Sequence, residues 1–178
     1  MQTDVNGGGN IGHLNFIKGD FTIEMEMNSR IGNQNKISSL GNSYHNVKLL
    51  LKKYASINTR HLLDMTDSIS IGEGTTLAGA DSQIWTHGFY FSNTSLKKAR
   101  IDAPVKIGNH CYIGARCTIL SNVTVANGIT VGANCCVSKS LFQQGLYVSQ
   151  SLRFIEFNPD EKISKLGQPI CDDFIYKK

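Results

Sequence analysis

The second half of the chain repeats a hydrophobic position with a period of six residues. An aliphatic side chain returns at every sixth position, and a small residue often follows it directly. The positions in register are Ile101, Ile107, Ile113, Ile119, Val125, Val131 and Val137. A period of six fits neither the 3.6-residue turn of an α-helix nor simple strand alternation. It predicts short strands joined by tight corners, where small residues permit unusual backbone angles.

Three such strands complete one coil of a solenoid. A coil of about eighteen residues stacks positions eighteen apart at the spacing of neighbouring strands, about 4.8 Å. The pairs that this spacing predicts are Ile107 with Val125, Ile113 with Val131, and Ile119 with Val137. The repeat therefore predicts a parallel β-helix with hydrophobic inner ladders and glycines at its corners.

Weaker echoes of the same period precede this run. The first of them comprises Val5, Ile11, Ile17 and Ile23. Later aliphatic residues follow the period in other phases, and each change of phase is interpreted as a loop leaving a corner. Loops that protrude from the solenoid are expected at residues 38–50 and 88–100. The sequence thus predicts an all-β solenoid domain over residues 1–145.

The repeat does not continue into residues 146–178, which are predicted to form a C-terminal extension. Asn158 followed by Pro159 has the form of a helix start, with an N-cap and a proline at the first helical position. Gly167 and Pro169 are typical of a helix end. The extension is therefore predicted to contain a short capping helix.

Composition and charge narrow the classes of partner. The chain has 178 residues and a net charge of +4, which suits a small anionic ligand. It has no dense Lys/Arg run, so nucleic-acid binding is not expected. It has no apolar stretch of membrane-spanning length and no signal pattern, so a cytoplasmic protein without an integral membrane segment is expected. Five cysteines without C-x-x-C spacing indicate reduced thiols rather than a zinc site.

The repeat also carries a family resemblance. Residues 104–139 read PVKIGNHCYIGARCTILSNVTVANGITVGANCCVSK, and this stretch resembles the hexapeptide-repeat acyltransferases. With residues 60–88, it is most similar to the branch that holds galactoside, maltose and xenobiotic acetyltransferases and the sugar acetyltransferases of surface-polysaccharide synthesis. The resemblance implies a left-handed parallel β-helix and a homotrimer with active sites between subunits. It also implies acetyl-CoA as co-substrate and no metal requirement.

The resemblance points to His87 as the catalytic residue. His87 stands where the repeat breaks into a loop, and the family's catalytic histidine lies at the matching place. An imidazole there would act as general base on the acceptor. A solvent-exposed loop histidine without a catalytic role is the alternative. His61 has apolar neighbours, which favour a structural role.

Two residues are candidates for acceptor binding. Asn58 resembles an acceptor-binding asparagine of related sugar acetyltransferases, although Thr59 competes for that role and a purely structural amide is the alternative. Trp85, beside His87, could stack on the C–H face of a pyranose or pack in the interior.

Four residues are candidates for cofactor binding. Ala115 and Ala133 are eighteen apart and match the small residues that line the family's pantetheine groove, where exposed backbone can hydrogen-bond the cofactor. Ser138 and Lys139 match a pair that contacts the nucleotide end of CoA, and a lysine suits a phosphate. The alternative is a solvated corner lysine. The family's closing Gly-x-Pro-Ala-Lys/Arg stretch is reduced to its basic residue in 147–153.

Two further groups of residues have plainer interpretations. Lys97, Lys98 and Arg100 either meet phosphates of CoA or of an activated sugar, or belong to a solvated loop. Cys117 and Cys135 are eighteen apart and are expected to stack inside the coil as small buried hydrophobes.

The sequence and the resemblance together predict an acyl-CoA-dependent O-acetyltransferase. Its acceptor would be a sugar hydroxyl of a bacterial surface polysaccharide or precursor, with His87 as general base in direct transfer. One alternative is an N-acetyltransferase of a nucleotide-linked amino sugar. Another is a non-catalytic hexapeptide-repeat assembly or binding module. A metal-dependent carbonic-anhydrase-like coil is disfavoured because no closely spaced histidine pair lies near His87 or His110.

Overall fold

The computed structural model describes residues 2–5, 9–39, 46–149, 153–158 and 161. The regular structure in these ranges consists almost wholly of short β-strands. In chain order the strands are β1 (Gln2–Val5), β2 (Asn10–Ile11), β3 (Phe16–Lys18), β4 (Thr22–Met25), β5 (Arg30–Ile31), β6 (Lys36–Ser38), β7 (Lys48–Leu51), β8 (Ser56–Thr59), β9 (Leu62–Asp64), β10 (Ile69–Ile71), β11 (Thr76–Ala80), β12 (Gln83–Ile84), β13 (His87–Phe91), β14 (Lys98–Asp102), β15 (Val105–Ile107), β16 (Tyr112–Ile113), β17 (Thr118–Ile119), β18 (Thr124–Val125), β19 (Thr130–Val131), β20 (Cys136–Val137), β21 (Leu146–Val148) and β22 (Arg153–Ile155).

Three sheets form the sides of a triangular prism. Sheet A has the order β1-β4-β7-β10-β15-β18, sheet B has β2-β5-β8-β11-β16-β19-β21-β22, and sheet C has β3-β6-β9-β12-β17-β20. The chain visits A, B and C in turn, so each coil adds one strand to each sheet. The pairings are parallel except that β22 runs antiparallel to β21. This arrangement is the predicted parallel β-helix.

The inward side chains form stacked aliphatic ladders. The three predicted stacks are confirmed as strand partners, namely Ile107 with Val125, Ile113 with Val131, and Ile119 with Val137. Each fully buried aliphatic side chain contributes about 1.5–3 kcal/mol relative to an exposed one. Cys117 and Cys135 are buried free thiols, as predicted. Burial raises the pKa of Cys117 to about 11, so this thiol is structural.

The early coils are longer than the late ones. Ile11 pairs with Ile31, and Leu49 pairs with Ile69, so partners lie twenty residues apart there. The strands keep their inward aliphatic residues, and the extra residues lie in the turns. The weak and shifting six-residue pattern of the first half of the chain has this cause.

A hairpin interrupts the solenoid between β12 and β15. Its strands β13 and β14 pair antiparallel as a separate two-stranded sheet, which confirms the loop predicted at 88–100. Ile101 belongs to this hairpin and is 44% exposed, so its assignment to the inner ladder was wrong. Ile101 matches the repeat by coincidence, because it lies six residues before Ile107, an inward residue of the first strand after the hairpin. In the loop expected at 38–50, residues 40–45 lie outside the described ranges and β7 begins at Lys48.

The small residues that directly follow the inward aliphatic positions allow neighbouring coils to approach closely, and they do not adopt unusual backbone angles. A Cβ on Gly114 would lie 2.6 Å from the Ala133 nitrogen of the next coil. The left-handed backbone angles lie at other corner positions, at Gly128 with φ 69° and at larger residues such as Arg116 with φ 56° and Asn134 with φ 59°. Adjacent coils therefore require glycine at position 114 for reasons of space.

The described part of the C-terminal region continues the sheet before it turns away. Strand β21 pairs in parallel with β19, just beyond the domain boundary predicted at residue 145, and β22 then folds back on β21. Most of the capping helix predicted after Asn158 lies outside the described residues. In the ranges that the structure describes, no helix is long and apolar enough to cross a membrane.

Candidate active site

Two edges of the prism carry the candidate residues. The turns that join sheet C to sheet A form the C–A edge, which contains residues 65–68, 85–104, 120–123 and 138–140. The turns that join sheet B to sheet C form the B–C edge, which contains residues 12–15, 32–35, 60–61, 81–82, 114–117 and 132–135. His87 lies on the C–A edge, at the start of the hairpin. Because β12 pairs in parallel with β9, His87 lies above the end of β9, where Asp64 is placed.

His87 and Asp64 form a close, shielded pair. The Nδ1 atom of His87 lies 2.7 Å from Oδ2 of Asp64. The two side chains are only 12% and 5% exposed. Such a short contact between a largely buried imidazole and a carboxylate fixes the orientation of the ring.

Two threonines complete the surroundings of Asp64. The Thr66 hydroxyl donates to Oδ1 at 2.6 Å, and the Thr86 backbone N–H donates to Oδ2 at 2.9 Å. Burial by itself would raise the pKa of Asp64, but hydrogen bonds from Thr66, His87 and Thr86 outweigh it and lower that pKa. The carboxylate is therefore ionised at neutral pH.

An ionised Asp64 determines which nitrogen of His87 carries the proton. A carboxylate only accepts hydrogen bonds, so Nδ1 must be the donor in the 2.7 Å contact. In the neutral ring the lone pair is then on Nε2. The pair has the arrangement of an oriented general base, in which the acid stabilises the imidazolium formed on proton uptake.

His61 has a different environment. It is 1% exposed, its Nδ1 accepts the Ser82 backbone N–H at 3.1 Å, and its Nε2 is buried without a hydrogen-bond partner among the described residues. Burial lowers its pKa to about 4. A neutral interior histidine agrees with the structural role predicted for it.

The predicted cofactor residues fall on both edges. Ser138 and Lys139 are exposed on the C–A edge, two coils beyond His87. Ala115 and Ala133 stack on the B–C edge, where the Asn134 backbone N–H donates to the Ala115 carbonyl at 2.9 Å. Sheet C separates the two edges. Within one chain the structure therefore brings Trp85 to His87 but keeps the two alanines apart from it.

The predicted acceptor residues also divide between the edges. Asn58 lies near the end of strand β8 in sheet B, beside the B–C edge. Its Oδ1 accepts hydrogen bonds from Arg30 Nη2 at 3.2 Å and from the Ser56 hydroxyl at 3.0 Å. It lines a polar groove of about 370 Å³ together with Thr59, so both alternatives face the same space. Trp85 is partly exposed on the C–A edge, and its ring centroid lies 5.9 Å from that of His87.

Asp64 is the site residue that sequence reasoning missed. It precedes His87 by twenty-three positions, a spacing that the eighteen-residue coil does not anticipate. The available signal was an acid at the end of an aliphatic stretch, Leu62-Leu63-Asp64, one coil before the histidine. Among the described residues, no group of three or more His, Cys, Asp or Glu side chains is placed to hold a metal.

Known proteins support the repeat and the fold. The hexapeptide repeat of succinyl-transferase is the family whose profile matches, over residues 104–139. No curated protein has a significant sequence match.

Solved structures share the architecture over most of the chain. A variant of AntD, an N-acyltransferase from Bacillus cereus in complex with dTDP-4-amino-4,6-dideoxyglucose and coenzyme A, has a TM-score of 0.75 at 22% identity, over 90% of this chain and 86% of that one. The polysialic acid O-acetyltransferase OatWY has a TM-score of 0.54 at 18% identity, over 89% of each chain. The hexapeptide-repeat acetyltransferase VCA0836 from Vibrio cholerae has a TM-score of 0.53 at 19% identity, over 82% of this chain and 71% of that one. The matched repeat and the shared architecture together assign this chain the left-handed parallel β-helix fold of hexapeptide-repeat proteins.

Proposed function

We propose that the protein is an acyl-CoA-dependent O-acetyltransferase with His87 as its general base. The acceptor is a sugar hydroxyl of a bacterial surface polysaccharide or its precursor, and the reaction takes place in the cytoplasm. The observation that carries the proposal is the 2.7 Å contact between His87 Nδ1 and the ionised Asp64, which leaves Nε2 free to accept a proton. The similarity in fold to CoA-dependent transferases gives it further support.

The residues of this chain divide the work between proton transfer and orientation. Bound acetyl-CoA supplies the acetyl group as a thioester. His87 Nε2 removes the proton from the acceptor hydroxyl as this hydroxyl attacks, and later returns it to the departing thiol. Asp64 holds the ring in place and stabilises the charged imidazolium between these events. No covalent intermediate with the protein is needed.

We further propose that the active sites form between subunits of a homotrimer. Within one chain, His87 and Lys139 lie on the C–A edge, whereas Ala115 and Ala133 lie on the B–C edge. A contact between the C–A edge of one subunit and the B–C edge of the next would unite them. The alanines project little side chain from their corner, which suits a pantetheine arm, and the exposed Lys139 suits a phosphate.

N-acetylation of a nucleotide-linked amino sugar is the second candidate. The observation that favours it is the fold similarity to AntD, an N-acyltransferase whose structure contains a dTDP-linked amino sugar and coenzyme A. A neutral amine is already nucleophilic, so N-transfer depends less on a base than O-transfer does.

An acetyl-transfer assay with His87→Ala tests the proposal. Acidic and neutral oligosaccharides are the acceptors for O-transfer, and nucleotide-linked amino sugars are the acceptors for N-transfer. O-transfer should fall about 10²- to 10⁴-fold in His87→Ala. The exposed His110 gives the control variant His110→Ala, which should keep the wild-type rate. Transfer to amines alone, with a small effect of His87→Ala, would establish the second candidate. A folded protein that binds no acyl-CoA would be a non-catalytic module.

A further inference from the structure

The hairpin beside His87 presents an organised face to solvent. Alternate residues of a strand share one face, so His87, Phe89 and Phe91 point to the same side of β13. Their cross-strand partners on β14 are Asp102, Arg100 and Lys98. This face, formed by these six residues, is called the hairpin face below.

Aromatic rings run outward along the hairpin face from the candidate base. Ring centroids lie 5.9 Å apart between Trp85 and His87, 5.6 Å between His87 and Phe89, and 6.1 Å between Phe89 and Phe91. Phe89 is 42% exposed and Phe91 is 70% exposed. A row of solvent-exposed rings that begins at a shielded His–Asp pair is a feature of binding surfaces rather than of a folded core.

Positive charge accompanies the rings. The Lys98 ammonium lies 5.6 Å from the centre of the Phe89 ring. Arg100 donates two hydrogen bonds to Asp102 Oδ2, at 3.1 and 2.8 Å, whereas Oδ1 of this acid has no hydrogen-bond partner among the described residues. These residues line an open groove of about 540 Å³. The ion pair of Arg100 with Asp102 is neutral overall, so Lys98 gives the groove its excess positive charge, which favours an anionic ligand.

We infer that the hairpin face is the acceptor subsite and that it binds an acidic oligosaccharide, with carboxylate or phosphate groups on its sugars. The inference rests on the proposed function of His87. Phe89 and Phe91 are the exposed rings of the row, and together they offer stacking surface to the C–H faces of consecutive pyranoses, which a single sugar cannot cover. Lys98 and Arg100 bind the acidic groups of the ligand. Because the hairpin face begins at His87, a sugar bound at its inner end places a hydroxyl next to the base.

The chain provides its own reporter for this binding. Trp85 is the single tryptophan of the sequence and stands at the inner end of the row of rings. Its fluorescence can be followed while the protein is titrated with a tetramer of sialic acid. Monomeric sialic acid serves as the length control, and maltotetraose serves as the neutral control. The tetramer should bind at least tenfold more tightly than either control, and added salt should weaken it.

Two variants test the rings and the charge separately. Phe91→Ala and Lys98→Gln should each weaken tetramer binding about tenfold, because one removes a stacking surface and the other a cation. Phe142→Ala removes a phenylalanine with similar exposure, 74%, outside the hairpin. With Lys53→Gln, an exposed lysine of another corner, it supplies the matched controls, which should bind as wild type does.

Any of four results would overturn the inference. The tetramer and the monomer could bind equally, or dTDP could bind in place of the tetramer with the same dependence on Phe91 and Lys98. The third is a loss of the oligomer in Phe91→Ala by light scattering, which would mean that a second copy covers the hairpin face. Acetyl-CoA binding, measured by calorimetry on the same samples, separates these outcomes from failure of the proposed function. Retained acetyl-CoA binding with no oligosaccharide binding removes the acceptor subsite alone.

Discussion

At the scale of single residues, the role proposed for His87 as general base depends on the carboxylate of Asp64 next to it. Asp64→Asn replaces the carboxylate with a neutral amide, which stabilises the imidazolium less. The amide can also donate a hydrogen bond, so it permits the other tautomer of the His87 ring. We expect acetyl transfer to fall on the order of 10²-fold while acetyl-CoA affinity changes little. Steady-state kinetics and calorimetry measure the two quantities. The control is Glu24→Gln, at a partly exposed ion pair with Lys48 on sheet A. An unchanged rate in Asp64→Asn would contradict the role given to this acid.

His61 makes the stability of the protein depend on pH. Burial lowers its pKa from 6.5 to about 4. The unfolded chain takes up a proton below pH 6.5 and the folded chain does not until about pH 4, so the free energy of unfolding falls as the pH drops through this window. The full loss is up to about 3 kcal/mol. Urea unfolding at pH 7.5 and 4.5 should show a smaller difference for His61→Asn than for wild type or His110→Asn. Equal differences in the free energy of unfolding between the two pH values in all three proteins would refute the contribution of His61.

At the scale of strands and corners, the contact between coils sets the choice of residue. A Cβ on Gly114 would lie 2.6 Å from a backbone nitrogen, which cannot move without separating two coils. We expect Gly114→Ala to destabilise the protein by about 1–3 kcal/mol. A Cβ on Gly88, in the hairpin, would meet no atom within 4 Å, so Gly88→Ala is the matched control. Denaturant unfolding gives both values, and equal stability of the two variants would show that the coils are not tightly stacked at Gly114.

The lengths of the coils determine which parts of the structure could be predicted from the sequence. The late coils were predictable because each inward position repeats after eighteen residues, and all three stacks were found as expected. Ile101 misled because the hairpin has a length that preserves the phase. The Asp64–His87 pair escaped because the early coils are longer, so the contact follows no fixed spacing. Periodicity predicts which residues stack, but it carries no information on polar contacts between corners of unequal length.

At the scale of the whole molecule, the division of the site between two edges has a testable consequence. His87→Ala disables the C–A edge, and Ala133→Trp fills the B–C edge with a bulky side chain. Each variant alone should lose most of its transfer activity. Mixed oligomers contain some sites with two intact edges, so co-expression should restore a fraction of the transfer activity. Activity that stays absent in mixed oligomers of confirmed composition would mean that each chain holds a complete site.

The central claim is that this β-helix binds an acyl-CoA, and calorimetric titration with acetyl-CoA tests it most directly. Wild type should bind in the micromolar range. Lys139→Ala should weaken binding about tenfold through loss of a phosphate contact, whereas Lys53→Ala, at another corner, should bind as wild type does. A folded wild-type protein that takes up no acetyl-CoA at millimolar concentration would contradict the proposed activity and leave the fold alone standing.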